Sequence, residues 1–329
     1  MAEKKKTRNI EIDTLRGLAC ILLVSYHVIG ITPDSGLRLQ GGILKEINEM
    51  LAYIRMPLFT FLSGIVYGWR PYTSDWTGFM KGKIRRLIIP MLFIGTIFAI
   101  FQTITPGTNH SVENWFTLHL KPVAHFWFLE SLFLIFLMII PLEHAGILQR
   151  KTGFGMVFLI ASICYTANIG TPWLSIAGFF YLFPYFLAGL YAERFPLNKL
   201  SLQQISSIML AVLLVLLFMY GHEYGGPRRS PNALTVGLLF CMLLYLNRMK
   251  SNILASIGFY SYSIYLFHVF FTAGARIVLS RFGVTELWAL FTFALAAGLA
   301  GPVIVELVAA RYNPARILML GKRPIAAKQ

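Results

Sequence analysis

Apolar runs of membrane-spanning length recur along this chain almost without interruption, and that feature limits the fold more than any other. A bilayer core about 30 Å thick needs roughly 20 apolar residues per helix. Runs of that kind predict helices near residues 14–32, 50–69, 87–105, 123–142, 153–168, 173–192, 203–221, 232–247, 256–279 and 286–310. Polar turn segments separate them: Pro33-Asp34-Ser35-Gly36, Thr105-Pro106-Gly107 and Gly225-Gly226-Pro227. The gaps are too short to hold a soluble domain. Only 13% of the 329 residues are charged and 57% are apolar, against about 25% charged in a soluble domain. Three cysteines, an odd number inside apolar runs, exclude a disulfide scaffold. The expectation is an all-α, polytopic transmembrane bundle of about ten spans, forming one domain over residues 1–329.

The net charge of +15 then reads as topology rather than as a nucleic-acid footprint. With the N-terminus inside, 21 of the 29 Lys and Arg fall on cytoplasmic segments and 7 on outer ones, with Arg55 inside the second span. That asymmetry is a positive-inside signal and puts both termini, basic tails at 1–12 and 312–329, in the cytoplasm. Lys4-Lys5-Lys6 before an apolar stretch resembles a signal peptide. The stretch lacks a small-x-small cleavage site, so it is expected to remain as the first span.

An ionisable residue within a span costs about 2.5–3.5 kcal/mol on insertion scales, so each survivor should face the bundle interior or water. Arg16, His27, Arg55, Glu130, His268 and Glu306 are such residues. Arg16 and His27 are eleven positions apart, three helical turns plus about 20°, which puts them on one face about 16 Å apart along the axis. Arg16 either binds the charged end of a long anionic ligand whose reactive end meets His27, or snorkels and pairs with Asp13. His27 is either a reactive imidazole or a helix–helix hydrogen bonder. Cys20 shares their face and reads as packing. No HExxH or CxxC motif and no His/Asp cluster at metal spacing occurs, so no metal cofactor is expected.

The segment Asp13-Thr14-Leu15-Arg16-Gly17-Leu18-Ala19, continuing to His27, resembles the opening signature of membrane acyltransferase family 3. Met56-Pro57-Leu58-Phe59-Thr60-Phe61-Leu62-Ser63-Gly64 resembles the family's second-span segment, and Arg85-Arg86-Leu87-Ile88-Ile89-Pro90 its basic start to the third span. His125-Phe126-Trp127-Phe128-Leu129 and Ser261-Tyr262-Ser263-Ile264-Tyr265-Leu266-Phe267-His268 are similar to later family segments, in the same order. The resemblance implies a ten-helix bundle that moves an acyl group, usually acetyl, from cytoplasmic coenzyme A to a hydroxyl of a glycan. Exopolysaccharide, O-antigen units and lipid-linked sugars are such acceptors. It also implies a bacterial inner-membrane location and a one-domain member without the extracytoplasmic esterase-like module of some relatives.

Acyl transfer to a hydroxyl needs a base, stabilisation of the tetrahedral oxyanion and a dry, ordered site. The resemblance makes His27 the expected base. Glu130 is expected either to orient an imidazole, as the third member of a triad does, or to clasp two helices. Burying it calls for a partner, and Arg55 or a histidine is expected there. His268 could position the thioester, donate to the oxyanion or bond to His27, or be an ordinary core residue. His125, Trp127 and Arg55 are expected at the acceptor. For the coenzyme A phosphates, Arg16, Lys83, Arg85 and Arg86 form a cytoplasmic cation set, with Arg70 and Lys81 nearby. The same charges also suit anionic lipid head groups. Ser63-Gly64 leaves room for a pantetheine arm, or simply packs helices. The competing class is a transporter or flippase for a lipid-linked saccharide, which also carries intramembrane Arg, Glu and His. The two-half internal symmetry common in transporters is not found.

Overall fold

The computed structural model describes residues 9–30, 32, 35–105, 114–195, 202–220 and 229–325. Pro33, Asp34, Pro106, Gly107, residues 225–227 and the lysines of the N-terminal tail lie outside that set. Every described regular element is helical. The chain runs through α1 (Ile10–Ile29), α2 (Ile43–Met50), α3 (Arg55–Gly68), α4 (Trp76–Lys83) and α5 (Ile89–Ile104). It continues through α6 (Trp127–His144), α7 (Lys151–Thr166), α8 (Ile176–Arg194), α9 (Leu202–Tyr220) and α10 (Pro231–Leu246). The last elements are α11 (Asn252–Phe259), α12 (Ser261–Arg281), α13 (Leu287–Ala309) and α14 (Asn313–Leu318). Among the described residues, seven stretches are long and apolar enough to cross a membrane: α1, α2–α3, α4–α5, the stretch 124–144, the stretch 173–194, α12 and α13. Three shorter apolar helices accompany them, α7, α10 and residues 204–214 of α9.

The described residues of the ten apolar runs read from sequence are almost wholly helical, because a 20-residue apolar run in lipid can satisfy its backbone only as a helix. The differences are local. The run at 256–279 is two helices, α11 and α12, broken at Tyr260. A π-helical turn over Ile84–Ile88 joins α4 to α5, so the third span begins eleven residues before the apolar run does. Caps set the edges. Asn9 accepts from the amide of Ile12 at 3.1 Å, Asp75 from Gly78 at 2.9 Å and Ser230 from Ala233 at 3.1 Å. Gly30, at φ +103°, ends α1, and a Cβ there would strike the carbonyl oxygen of Ser35.

Polar contacts fix which helix ends lie together. At the end where α1 starts, Glu11 meets Lys250 at 3.4 Å, and Tyr245 reaches Glu193 at 3.5 Å. Buried Glu143, at the end of α6, accepts from Arg194 at 2.7 Å, from Gln149 at 2.7 Å and from Tyr67 at 3.2 Å. The starts of α4–α5 and α12 and the end of α13 gather there too, through Tyr262 to the carbonyl of Arg86 and Ser263 to Glu306. Successive long helices therefore alternate in direction, as a serpentine membrane chain must.

Glycine sets the closest crossings. A Cβ on Gly189 of α8 would lie 1.9 Å from the Phe61 carbonyl oxygen of α3, and one on Gly64 of α3 would lie 2.1 Å from that of Phe186. Small residues let two backbones touch where lipid offers no hydrophobic drive between helices. Gly17 and Gly258 join α1 to α11 in the same way. Gly189→Leu is expected to lower the thermal unfolding midpoint in detergent by several degrees, from overpacking of roughly 1–3 kcal/mol or more. Gly155→Ala, where a Cβ meets nothing within 4 Å, should leave the midpoint unchanged or raise it slightly.

Candidate active site

Three imidazoles far apart in sequence meet in the middle of the bundle. The ring of His268 lies 4.8 Å from that of His27 and 4.8 Å from that of His125, centroid to centroid, and His27 and His125 are 5.8 Å apart. Each is delivered by a different device. His27 stands on the last turn of α1. His268 is carried into the core by the middle of α12. His125 sits on a short 3-10 turn over 124–126 that leads into α6, with Ala124 at φ +50°. The hydroxyl of Tyr265 donates to the His125 carbonyl and ties that turn to α12. His125 is buried within the cluster, where its turn folds over Tyr265.

The tautomer of His268 follows from its neighbours. Its Nδ1 lies 2.8 Å from the Ile264 carbonyl oxygen and 2.9 Å from that of Tyr265, both acceptors, so Nδ1 carries the hydrogen and donates. Nε2 is then an acceptor, and it is buried without a hydrogen-bond partner. Both ring nitrogens of His125 are likewise buried and unpartnered. Buried polar atoms normally have partners, and three such atoms in one cluster single it out as the candidate site. Among the described residues, no three His, Cys, Asp or Glu side chains are arranged to hold a metal ion.

The cluster borders a cavity of about 950 Å³ at the end of the bundle away from the start of α1. His27, His125 and Tyr265 line it, together with Trp127, Tyr26 and Arg55. Arg55 lies with its guanidinium 4.4 Å from the Tyr26 ring centre and donates to the backbone oxygen and to Oδ1 of Asn48, each at 2.5 Å. Asn48 in turn donates to the Gly30 carbonyl at 3.0 Å, so α2 holds α1 and α3 in register beside the cavity. Glu130 is buried in the wall and accepts from Ser175 at 2.7 Å. Ser175, itself on the cavity lining, is the partner seen for Glu130, where the sequence reading anticipated Arg55 or an imidazole.

The residues expected at coenzyme A gather at the opposite end. Arg16 pairs with Asp13 at 3.3 Å, as the snorkelling alternative anticipated. Arg85 and Arg86 sit on the π-helical turn, a feature common at functional sites. Arg85 Nε donates to the Gly321 carbonyl at 3.3 Å. Lys83 is turned onto the faces of Phe136 and Phe79, 3.4 and 4.8 Å from the ring centres. The Ser63 hydroxyl donates to Phe59 within its own helix, and the space beside Gly64 is filled by α8. The sequence reading missed the C-terminal segment. Gly321, at φ +57°, lies directly on the backbone of Arg85 and Arg86, and Lys322 pairs with Glu306 at 2.5 Å. The positive φ and close approach had only a lone glycine in a basic tail as their sequence signal.

The fold and site define a polytopic membrane protein with a histidine-lined chamber at one end and a basic helix start at the other. A family model described as an acyltransferase domain, acyltransferase family 3, matches residues 9–307, and the chain belongs to that family. Neither a curated protein nor a solved structure gives a match. The anchoring of Arg55 yields a direct test. Asn48→Ala strips the guanidinium of a buried partner and is expected to cost about 1–3 kcal/mol of stability, read by thermal unfolding in detergent. Lys45→Ala, on the exposed face of the same helix, should stay within about 0.5 kcal/mol.

Proposed function

We propose that the chain is an integral-membrane O-acyltransferase that moves an acyl group, acetyl in the simplest case, from cytoplasmic acyl-coenzyme A to a glycan hydroxyl. The acceptor is extracytoplasmic or lipid-linked and occupies the far-end cavity, in a protein of the bacterial inner membrane. The observation that carries this reading is the cluster of His27, His125 and His268 at the border of that cavity, in a chain of an acyltransferase family.

His27 is the base. The acceptor of His268 Nε2 faces the cluster and suits an N–H of His27, which leaves the other His27 nitrogen to take the proton of the acceptor hydroxyl. The hydroxyl oxygen attacks the thioester carbonyl, and the tetrahedral oxyanion collapses with loss of the coenzyme A thiolate, which takes up the proton His27 removed. In this reading an N–H of His125 donates to the oxyanion. Glu130 acts at one remove, holding Ser175 in the cavity wall. Arg55 and Trp127 contact the acceptor. On the donor side Arg85 and Arg86 hold phosphate oxygens by charge-assisted hydrogen bonds, with Arg16 beside them. Lys83 adds positive potential from its aromatic seat. About 16 Å of helix separates Arg16 from His27, a span suited to a long, thin donor arm. Ser63 lies on the wall that arm would pass.

His27→Ala is expected to abolish transfer from acetyl-coenzyme A in proteoliposomes while the thermal midpoint stays near wild type. Retained transfer would remove His27 from the base role. Purified protein that exchanges or hydrolyses acetyl-coenzyme A without a gradient would separate this enzyme from a saccharide transporter.

On the donor side, replacing both Arg85 and Arg86 by Gln should raise the KM for acyl-coenzyme A about tenfold, the effect of losing roughly 1.4 kcal/mol, with kcat little changed. An unchanged donor KM would return these arginines to lipid contact.

A further inference from the structure

The cavity wall is one-sided in charge. Arg55, Lys121, Arg229 and Arg276 line it, and among the described residues no Asp or Glu does. Arg229 and Arg276 come from separate walls, one just before α10 and the other on the last turns of α12, and both are half-buried. The guanidinium of Arg229 donates to the carbonyls of Ala177 at 2.6 Å and Ile169 at 3.2 Å, and lies 5.8 Å from the Tyr181 ring centre. Arg276 donates to the Gly36 carbonyl at 3.0 Å. Neither takes part in an ion pair among the described residues. Lys121 stands at the exposed rim, 4.5 Å from the centre of the Trp173 ring. Carbonyl dipoles orient a guanidinium without cancelling its charge, and a half-buried cation remains costly until an anion meets it. The remaining wall is mostly apolar, and within it Tyr26, Tyr53, Trp127 and Tyr181 are aromatic residues of the kind that pack against sugar rings.

We infer that the far-end cavity selects an acidic saccharide, whose phosphate or carboxylate oxygens are met by the guanidinium groups of Arg229 and Arg276 on its wall while a hydroxyl of the same saccharide is presented to the histidine cluster. This rests on the acyltransferase reading for the role of the histidines, but the charge selection stands on the cavity wall alone. Neutral sugars of the same size would meet the aromatic faces but leave the guanidinium groups unmatched.

The test is binding by full-length protein in nanodiscs of phosphatidylcholine, without donor, so that no transfer is needed to read it. The probes are a sugar 1-phosphate, a uronic-acid disaccharide, a neutral disaccharide of the same size and inorganic phosphate, at one ionic strength. One or both acidic saccharides should bind about tenfold tighter than the neutral one, and the better of the two identifies the anion. Arg229→Gln and Arg276→Gln, singly, should each reduce that ratio toward one while neutral-sugar binding stays the same. Equal binding of acidic and neutral saccharides by wild type overturns the inference whatever the variants do. Phosphate binding as tightly as the sugar phosphate, or loss of the preference on adding phosphatidylglycerol, also overturns it, since the cations would then serve a bare ion or the lipid surface. Transfer to a neutral acceptor with no acidic preference would sink this inference and leave the acyltransferase reading intact. Acidic preference without any transfer would do the reverse.

Discussion

Inside a bilayer no water is available to repair an unmet polar group, and the bundle is organised by that constraint. Its buried ionic groups are met inside the protein. Glu143 is held by Arg194, Gln149 and Tyr67, Glu306 by Lys322 and Ser263, Glu130 by Ser175, and Arg55 by Asn48. These clasps sit at the ends of helices and fix which ends lie together. The close glycine crossings of α3 on α8 and of α1 on α11 bring the backbones near enough for the clasps to close.

Against that background the histidine cluster stands out by what it leaves unmet. Nε2 of His268 and both nitrogens of His125 are buried without partners beside the cavity. In the proposed reaction, the proton that leaves the acceptor hydroxyl and reaches the thiolate passes through nitrogens of this cluster. Tyr265 serves both ends of that arrangement, since its hydroxyl holds the His125 turn and its carbonyl accepts from His268.

The two ends of the molecule meet opposite demands. At the start of α1, the arginines of the π-helical turn are backed by the C-terminal segment through Gly321, which gives a basic, partly exposed face. At the far end, Arg229 and Arg276 are half-buried on the wall of the cavity. The proposed donor, with a charged head and a long arm, is assigned to the first end, and the proposed acidic sugar to the second. The histidines lie between them.

Much of the fold was legible in the sequence. The ten apolar runs are helical almost throughout their described residues, because hydrocarbon leaves a long apolar segment no other way to pair its amides. The Arg16–Asp13 pair was equally legible, since an i, i+3 spacing is a local property of one helix. Short elements were not: α4, α11 and the π-helical turn lack a long apolar run and are held by contacts with other segments. Of the site, sequence supplied the residue types and a family motif for His27, but not the meeting of His27, His125 and His268. Positions separated by 98 and 143 residues are brought together only by packing, and no periodicity along the chain encodes that distance. The sequence by itself determined a polytopic helical bundle with a few ionisable groups in its spans. Tertiary structure alone decided which of those groups are paired and which three nitrogens are left open, because pairing depends on which helices cross and at what depth.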